Sequence, residues 1–382
     1  MEITGAQLFV KALKKEGVNI LFAYPGGQAI DLFDALYGEE DIEVILPRHE
    51  QGLVHAADGY ARSTGRVGVC LVTSGPGATN LVTGIATANY DSVPLVCFTG
   101  QVPTGLIGND AFQEVDIVGI TRSICKYAVT VRKRSELGEV IKKAFFIART
   151  GKPGVVVVDI PKDIQKEYGA DFYPDSIKIR GYSPNTQVHM GQVKKALNAL
   201  ASSKRPVFLV GGGVKIANAG KEMTRLAEQT GVPVITTIMG RGAIPTTHPL
   251  YVGNLGIHGS YAANTAISNC DLLFSIGTRF NDRITGKVEE FARNAVIVHV
   301  DIDTASISRN VSAQIPIVAD AKEAICAFLQ RADYLADDEW RQKVDEWKKI
   351  HPLSMGGKHL TPKHILDGIN QIFDNAVIAT DV

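Results

Sequence analysis

The stretch Glu43-Val-Ile-Leu-Pro-Arg-His-Glu-Gln-Gly-Leu-Val-His-Ala-Ala-Asp-Gly-Tyr-Ala61 joins a short apolar strand to an amphipathic helix and decides the fold. Pro47 closes the strand, and apolar residues then recur at helical spacing, at Leu53, Val54, Ala57, Tyr60 and Ala61. Glu50 therefore falls in the first turn of the helix, at the carboxyl edge of the strand, where open α/β sheets bind ligands. A carboxylate there is either a catalytic group or a complement to the helix dipole, and these residues alone do not separate the two.

The same alternation of strands and helices extends in both directions from this stretch. Apolar strands are predicted at 19–24, 43–47, 67–74, 95–100 and 155–160. Helices are predicted at 6–16 and 29–37, and a third begins at Glu50. A fourth runs from the turn Ser74–Asn80 to Tyr90, and a fifth is predicted at 136–149. Nearly continuous apolar strands separated by helices predict a parallel sheet that is covered on both faces. The polar stretch 166–190, which has no periodicity, is typical of a linker.

A second series of strands and helices follows this linker. The helix 191–201 leads to the strand 206–210, which ends in Gly211-Gly212-Gly213, and further strands are predicted at 232–235, 272–276 and 296–300. The pattern resembles a six-stranded nucleotide-binding layer, although it lacks the G-x-G-x-x-G fingerprint. We therefore predict an α/β fold of two doubly wound parallel-sheet domains, at 1–165 and 191–335. Residues 336–382 are predicted to be a linker and the first elements of a third domain.

The predicted strand 376–382 ends the chain where a βα unit should turn into its ligand loop. We therefore expect the chain to be a fragment of a longer protein.

Composition excludes several classes of function. Forty basic residues balance forty acidic ones, so bulk charge favours neither a nucleic-acid nor a membrane partner. The five cysteines are scattered and odd in number, which predicts buried thiols in a reducing compartment. No CxxC pair or histidine cluster offers a metal site, and no signal peptide or bilayer-spanning run is present. We expect a cytoplasmic protein.

Two turns are candidate anion sites. In Ser74-Gly-Pro-Gly-Ala-Thr-Asn80 the backbone amides are suited to a phosphate, but a tight turn without a ligand is the simpler interpretation of these residues alone. After the strand 272–276, Arg279 and Arg283 are suited to grip a pyrophosphate, and Asp301 and Asp320 follow the next strands as ribose acceptors. The alternative is a set of solvated surface charges, which we favour less because all these residues follow strand ends.

Several motifs occur in a fixed order along the chain: Tyr24-Pro-Gly-Gly27, Arg48-His-Glu50, Thr73-Ser-Gly-Pro-Gly-Ala-Thr-Asn80, Ser92-Val-Pro94, Gly100-Gln101, Asp110-Ala-Phe-Gln113 and Asp159-Ile-Pro-Lys-Asp163. Together they resemble the thiamine-diphosphate enzymes, most closely the acetohydroxyacid (acetolactate) synthase family. The resemblance runs over essentially the whole chain. It favours the catalytic interpretation of Glu50 over the dipole interpretation.

The resemblance implies a transferase of valine, leucine and isoleucine biosynthesis. Such enzymes decarboxylate pyruvate with thiamine diphosphate and join the hydroxyethyl unit to a second pyruvate or to 2-oxobutyrate. Mg²⁺ and FAD are the further cofactors it implies, and a homodimer or tetramer with a small regulatory subunit is the implied assembly. We expect the Mg²⁺ and diphosphate ligands to lie beyond Val382, so that this part alone is inactive.

The resemblance also implies roles for individual residues. Glu50 contacts the aminopyrimidine ring of the cofactor across a dimer interface, Gly27 lies near the reacting centre, and the substrate channel is lined by Phe112, Gln113 and Lys162. By its residue type alone, Lys162 is an ordinary surface lysine. Further cofactor contacts are implied at Pro25, Gly26, Ser74, Gly75, Asn80 and Lys152. Flavin contacts are implied at Gly211, Gly212, Gly213, Thr237, His258, Gly277, Arg279, Arg283, Asp301, Asp320 and Ala321.

Two departures from the family pattern occur among these positions. Lys152 stands where many relatives have arginine, and Asn281 stands where aspartate is usual.

Two alternative functions remain open at this point. A pyruvate oxidase shares the fold and both organic cofactors, but it would release acetyl phosphate or peroxide instead of acetolactate. A flavin-binding assembly module without activity would use the first domain only as a dimerisation surface. The ordered set of Glu50, Gln113 and Lys162 favours an enzyme over the module.

Overall fold

Two six-stranded parallel sheets organise the chain, and the predicted α/β class is confirmed. The computed structural model describes residues 2–184, 187–352, 359–373 and 375–379. The chain divides into two compact units, Met1–Thr186 and Gln187–Val382, and each unit contains one of the sheets.

The described residues of the first unit form eight strands and eight α-helices. The strands are β1 (Glu2–Thr4), β2 (Ile20–Ala23), β3 (Glu43–Ile45), β4 (Gly68–Val72), β5 (Leu95–Gln101), β6 (Tyr127–Thr130), β7 (Val155–Pro161) and β8 (Tyr168–Ala170). The helices are α1 (Gly5–Lys15), α2 (Ile30–Leu36), α3 (Glu50–Thr64), α4 (Pro76–Thr79), α5 (Val82–Tyr90), α6 (Ile117–Thr121), α7 (Leu137–Arg149) and α8 (Lys162–Lys166). The parallel sheet has the order β3-β2-β4-β5-β7-β6.

The central strands of this sheet are buried on both faces, as their apolar sequences predict. Every residue of β4, β5 and β7 is buried. Successive residues contribute to two different cores, so Leu71 packs with α1 and α7 while Cys70 and Val72 pack with α3 and α5. Helices therefore cover both faces, which is the doubly wound arrangement.

Helix α3 begins at Glu50 because of its cap and ends at a glycine. His49 has extended backbone geometry, and its Nδ1 accepts a hydrogen bond from the backbone N–H of Gln51 at 3.1 Å. Gly65 ends the helix in the left-handed conformation, with φ of 71°. The cap fixes Glu50 as the first helical residue at the edge of the sheet, as the sequence predicts.

The second unit contains six strands and eight helices in the described ranges. The strands are β9 (Pro206–Val210), β10 (Val234–Thr236), β11 (Tyr251–Asn254), β12 (Leu272–Ile276), β13 (Val296–Asp301) and β14 (Ile315–Val318). The helices are α9 (Met190–Ser202), α10 (Gly212–Ile216), α11 (Gly220–Thr230), α12 (Tyr261–Asn269), α13 (Asp282–Thr285), α14 (Ala321–Leu329), α15 (Asp338–Ile350) and α16 (Pro362–Ile372). The strand order is β11-β10-β9-β12-β13-β14, so the predicted six-stranded layer is present.

Helix α15 packs on the second unit through its tryptophans. The Trp340 side chain is buried, and its Nε1–H donates to Pro206 O at 3.0 Å. Trp340 and Val344 belong to the same apolar core as β9 residues Val207 and Leu209. The charged face of this helix points to solvent, so its apolar stripe holds it against the sheet domain.

Other segments differ from their sequence interpretation. In the stretch 166–190, β8 pairs with β1 as an antiparallel two-stranded sheet, and residues 185–186 lie outside the described residues. Of the predicted strand 376–382, residues 376–379 form no strand and 380–382 lie outside the described part of the chain. Short edge strands such as β6 and β11 carry weak sequence signals because four residues give little periodicity. None of the helices in the described ranges has the length and apolar character needed to cross a membrane.

Candidate functional site

The first candidate site lies at the carboxyl edge of the first sheet and contains Glu50. Asn80 Nδ2 donates a hydrogen bond to Glu50 Oε2 at 2.9 Å. A Cβ atom on Gly77 would lie 2.9 Å from Thr73 Cγ2 and 3.5 Å from Glu50 Oε1, so the glycine packs tightly on Thr73 and lies beside the carboxylate. The motifs Arg48-His-Glu50 and Ser74–Asn80, which are far apart in the sequence, are thus brought together because β3, β2 and β4 are neighbours.

The segment with Gln113 packs against the same turn. Gly75 has a φ of +57°, and a Cβ atom on it would lie only 2.5 Å from Gln113 O. Gln113 itself has a φ of 59°. The carboxylate of Glu114 accepts hydrogen bonds from the backbone N–H groups of Gly108 and Ala111, which folds the segment into a tight turn. The backbone of Gln113 therefore lies beside the Gly75 turn.

Phe112 and its neighbour Gln113 are both exposed. Phe112 is 84% exposed, and its ring is not part of the apolar core clusters. An exposed aromatic ring at this edge is available to a substrate or to another chain.

Lys162 is tied to Gly27. Its Nζ donates to Gly27 O at 2.7 Å and lies 3.0 Å from Asp31 Oδ2. Lys162, the first residue of α8, therefore holds the loop that follows β2. A lysine that extends into solvent would make no such contact. The two predicted residues Gly27 and Lys162 lie together.

The loop after β2 also contains Pro25 and Gly26. Pro25 is exposed, and Gly26 packs closely against Thr73. Thr73 Oγ1 accepts a hydrogen bond from Gln28 N at 3.2 Å, so the loop is fixed to the end of β4.

Ser74 Oγ and Gln28 Oε1 are among the buried polar atoms at this edge that have no hydrogen-bond partner within the described residues. An unpartnered buried oxygen is costly unless a ligand or water completes it. Together with the Glu50 carboxylate and the close-approach glycines, these atoms fit a polar heterocyclic ligand such as thiamine.

Lys152 lies apart in sequence, in the turn between α7 and β7. Burial and the charge of Lys152 lower the pKa of the Lys126 ammonium to about 8.

Asp159, the first residue of the motif Asp159-Ile-Pro-Lys-Asp163, is a buried carboxylate between β5, β6 and β7 to which the sequence alone assigns no role. Asp159 Oδ1 accepts from Thr99 Oγ1 at 2.6 Å, and Oδ2 accepts from Gln101 Nε2 at 3.0 Å and Thr130 Oγ1 at 3.2 Å. Burial outweighs these bonds and raises the pKa of Asp159 to about 6. Gln101 Nε2 also donates to Val115 O at 3.1 Å, so the network reaches the Gln113 segment. The sequence signal for this network is the presence of the polar residues Thr99, Gln101 and Asp159 in strands that are otherwise apolar.

The second candidate site lies at the carboxyl edge of the second sheet. Gly213 N donates to Gly277 O at 3.0 Å, and a Cβ atom on Gly211 would lie 2.1 Å from the same oxygen. The turns after β9 and β12 therefore pack backbone to backbone, which only glycine permits. Thr237 joins them, because its backbone N–H donates to Val210 O at 3.0 Å, and Gly212 packs beside Met239.

The turn with the two arginines adjoins the loop with His258. Ile257 N donates to Arg283 O at 3.0 Å, which places the exposed His258 next to Arg283. The Arg283 side chain is 75% exposed, and Arg279 is half-buried. Guanidinium groups at this edge match the chemistry of a pyrophosphate.

Two acids predicted as ribose acceptors have local partners. Asp301 is buried at the end of β13, and its Oδ1 accepts from Asp303 N at 2.8 Å. Asp320 caps α14, which begins at Ala321, by accepting from Lys322 N at 2.8 Å and Glu323 N at 3.3 Å. Asp320 thus has a structural role as a helix cap, and its flavin contact stays a prediction. In the described ranges no three His, Cys, Asp or Glu residues are grouped to hold a metal ion.

Comparison with known proteins identifies the family. Residues 3–120 match the thiamine pyrophosphate enzyme, N-terminal TPP binding domain, and residues 193–328 match the thiamine pyrophosphate enzyme, central domain. The chain is 48% identical over 393 residues to the probable acetolactate synthase large subunit of Methanocaldococcus jannaschii, covering 99% of this chain and 66% of the relative. It is 43% identical over 395 residues to the acetolactate synthase large subunit of Haemophilus influenzae, covering 100% and 68%.

The chain belongs to the acetolactate synthase large-subunit family. The acetolactate synthase isozyme 3 large subunit of Escherichia coli is a further relative, 46% identical over 355 residues, with coverage of 91% of this chain and 62% of the relative. The chain thus spans about two thirds of the length of these family members. The resemblance that the ordered motifs indicate is confirmed.

Proposed function

We propose that this chain carries the thiamine-binding and central domains of an acetolactate synthase. The enzyme would decarboxylate pyruvate and join the two-carbon unit to a second pyruvate or to 2-oxobutyrate, supplying branched-chain amino-acid biosynthesis. The observation that carries the proposal is the contact of Glu50 with Asn80 beside Gly77. The pyruvate oxidase alternative is not favoured, because the relatives compared carry acetolactate synthase names.

Thiamine diphosphate fits the residues at the first edge. When bound, it supplies the electron sink for breaking the bond between the keto carbon and the carboxylate of the substrate. Glu50 would hold a proton toward the aminopyrimidine ring, and Asn80 would fix the direction of the carboxylate. Ser74 and Gln28 would complete their hydrogen bonds on the ligand. Pro25, Gly26 and Gly75 would form the wall behind it.

Substrate selection would fall to Lys162 and Gln113. A 2-oxo acid is an anion, and the Lys162 ammonium, which is held by Gly27 O and Asp31, would exchange its contact with Asp31 for the substrate carboxylate. Gln113 would meet the substrate from the opposite turn, and Phe112 would cover it. These roles explain why a lysine is fixed at a strand end instead of extending freely into solvent.

FAD is proposed as the ligand of the second edge. The donor set fits it, because Arg279 and Arg283 suit the pyrophosphate and the buried Asp301 carboxylate suits a ribose hydroxyl. Gly277 and His258 are proposed as further contacts. The described residues include no group of three His, Cys, Asp or Glu that could hold Mg²⁺, so no step is assigned to a metal here.

Assembly and location complete the proposal. Because the relatives are named large subunits, we propose a small regulatory subunit as a partner, with a homodimer or tetramer as the catalytic assembly. All five cysteines are free, and Cys70, Cys97 and Cys270 are buried. The cytoplasmic location predicted from the cysteine pattern stays a prediction.

The decisive experiment compares Glu50→Gln with Glu43→Gln in the polypeptide encoded by the whole gene. Both changes replace one carboxylate by an amide, and Glu43 is an exposed residue of the neighbouring edge strand. With pyruvate, thiamine diphosphate, Mg²⁺ and FAD, acetolactate formation should fall by at least about 100-fold in Glu50→Gln only. Unchanged rates in Glu50→Gln, or acetyl phosphate as the wild-type product, would overturn the proposal.

A further inference from the structure

The turn with the two arginines contains a strained residue. Phe280, between Arg279 and Arg283, has a φ of +51°. A bulky side chain is strained in this left-handed region and persists there only where surrounding contacts fix it. The contacts that fix Phe280 therefore also decide where the arginines lie.

Those contacts come from His299 and Asn310. His299, in β13, is fully buried, and its Nε2 lies 2.8 Å from Thr278 O. Because that carbonyl accepts only, Nε2 carries the proton and donates. Asn310 Nδ2 donates to Arg279 O at 3.1 Å and to Phe280 O at 3.0 Å from the solvent side. Three consecutive carbonyl groups of the turn are thus held by two side chains.

The Phe280 ring packs against His299 in the interior of the domain. It is buried and meets the His299 ring edge-on at a centroid distance of 4.9 Å, with Phe291 on another side at 5.8 Å. Burial lowers the pKa of His299, which keeps the imidazole neutral. His299 Nδ1 is buried without a hydrogen-bond partner among the described residues, a cost that a purely apolar residue would avoid.

We propose that His299 and Asn310 are positioning residues that hold the strained turn so that Arg279 and Arg283 are pre-oriented for a pyrophosphate. The inference rests on the proposed flavin function. Neither side chain needs to touch the ligand. The buried imidazole leaves Nδ1 without a partner among the residues that the structure describes. Its Nε2 fixes the Thr278 carbonyl and, through that carbonyl, the segment that carries the two arginines.

The test uses two His299 variants of similar bulk in the polypeptide encoded by the whole gene. His299→Gln keeps an N–H group that reaches the Thr278 carbonyl, whereas His299→Leu fills the space without a donor. FAD affinity is measured by equilibrium dialysis with absorbance of the free flavin. His299→Leu should bind FAD about 10–100-fold more weakly, by analogy with groups that orient metal ligands, and His299→Gln should bind close to the wild type. Asn310→Ala should weaken binding in the same direction.

A second readout reports on the turn without any flavin. Hydrogen exchange of the amides in 278–286 should be faster in His299→Leu and unchanged in His299→Gln. His248→Leu is the matched control, because His248 lies in the same unit and hydrogen-bonds only its own loop and Glu228 among the contacts described. Urea unfolding followed by tryptophan fluorescence verifies that the variants are folded.

The outcomes separate the two proposals. A wild-type chain that does not bind FAD would overturn the flavin function and the role of this pair with it. If the wild type binds FAD and His299→Leu binds equally well, only the positioning role is lost. Equal weakening in His299→Gln and His299→Leu would likewise show that the hydrogen bond to Thr278 is not what matters.

Discussion

Replacing Asp159 by asparagine should stabilise the first unit at neutral pH. The carboxyl is buried among β5, β6 and β7, and its pKa is raised from 3.8 to about 6 by burial. The folded chain therefore binds a proton more tightly than the unfolded chain, and the free energy of unfolding falls as the pH rises through 3.8 to 6. At 1.36 kcal/mol per pKa unit, the loss at pH 7.5 is about 3 kcal/mol at most.

Asparagine removes the ionisation and keeps the hydrogen bonds. With its oxygen toward Gln101 Nε2 and Thr130, it accepts as the carboxylate does. Its amide nitrogen then donates to the Thr99 hydroxyl, which is able to accept as well as donate. We therefore expect Asp159→Asn to exceed the wild type by about 1–3 kcal/mol at pH 7.5 and by much less at pH 4.5.

The assay is urea unfolding at both pH values, followed by far-UV circular dichroism. The two tryptophans, Trp340 and Trp347, lie in the second unit, so their fluorescence is the internal reference. Thr99→Val provides the opposite perturbation: it removes one donor to the carboxylate and should destabilise by about 1–2 kcal/mol, more at pH 7.5 than at pH 4.5. If wild type and Asp159→Asn change in parallel between the two pH values, the carboxyl does not titrate in this range and the reasoning is wrong.

Three other substitutions test the packing. Gly75→Ala should destabilise by more than about 1 kcal/mol, because φ is +57° and the new methyl group would lie 2.5 Å from Gln113 O. Gly52→Ala, on the exposed face of α3 with no atom within 4 Å, should stabilise by up to about 1 kcal/mol, and equal urea midpoints for these two variants would contradict the account. Trp340→Phe should cost about 1–3 kcal/mol in thermal or urea unfolding, because Pro206 O loses its buried donor; an unchanged midpoint would show that water replaces it.

The sequence by itself determined the fold class and the position of Glu50. Apolar strands of four to seven residues, such as β4 and β7, cannot be solvated on either face, so their pattern with intervening helices requires a covered parallel sheet. Glu50 precedes the apolar stripe of α3 and follows a proline-ended strand, which fixes it at a helix start. The motif order then carried the family, because several short motifs in one sequence are far more specific than any one of them.

Only the tertiary structure decided which of these residues meet. Strand order brings three pairs of residues into contact: Asn80 with Glu50, Gln113 with Gly75, and Lys162 with Gly27. Strand order in turn depends on packing between segments that are distant in the sequence.

For the same reason, the hydrogen-bond partners of Asp159 and His299 could not be predicted from the sequence. Their identities are visible in the sequence, but the raised pKa of one and the lowered pKa of the other result from burial and from hydrogen bonds to other elements. A local pattern states which face of a strand is apolar. It does not state which neighbouring strand brings a threonine, a glutamine or a backbone carbonyl to that face, and those contacts set the chemistry of both edges.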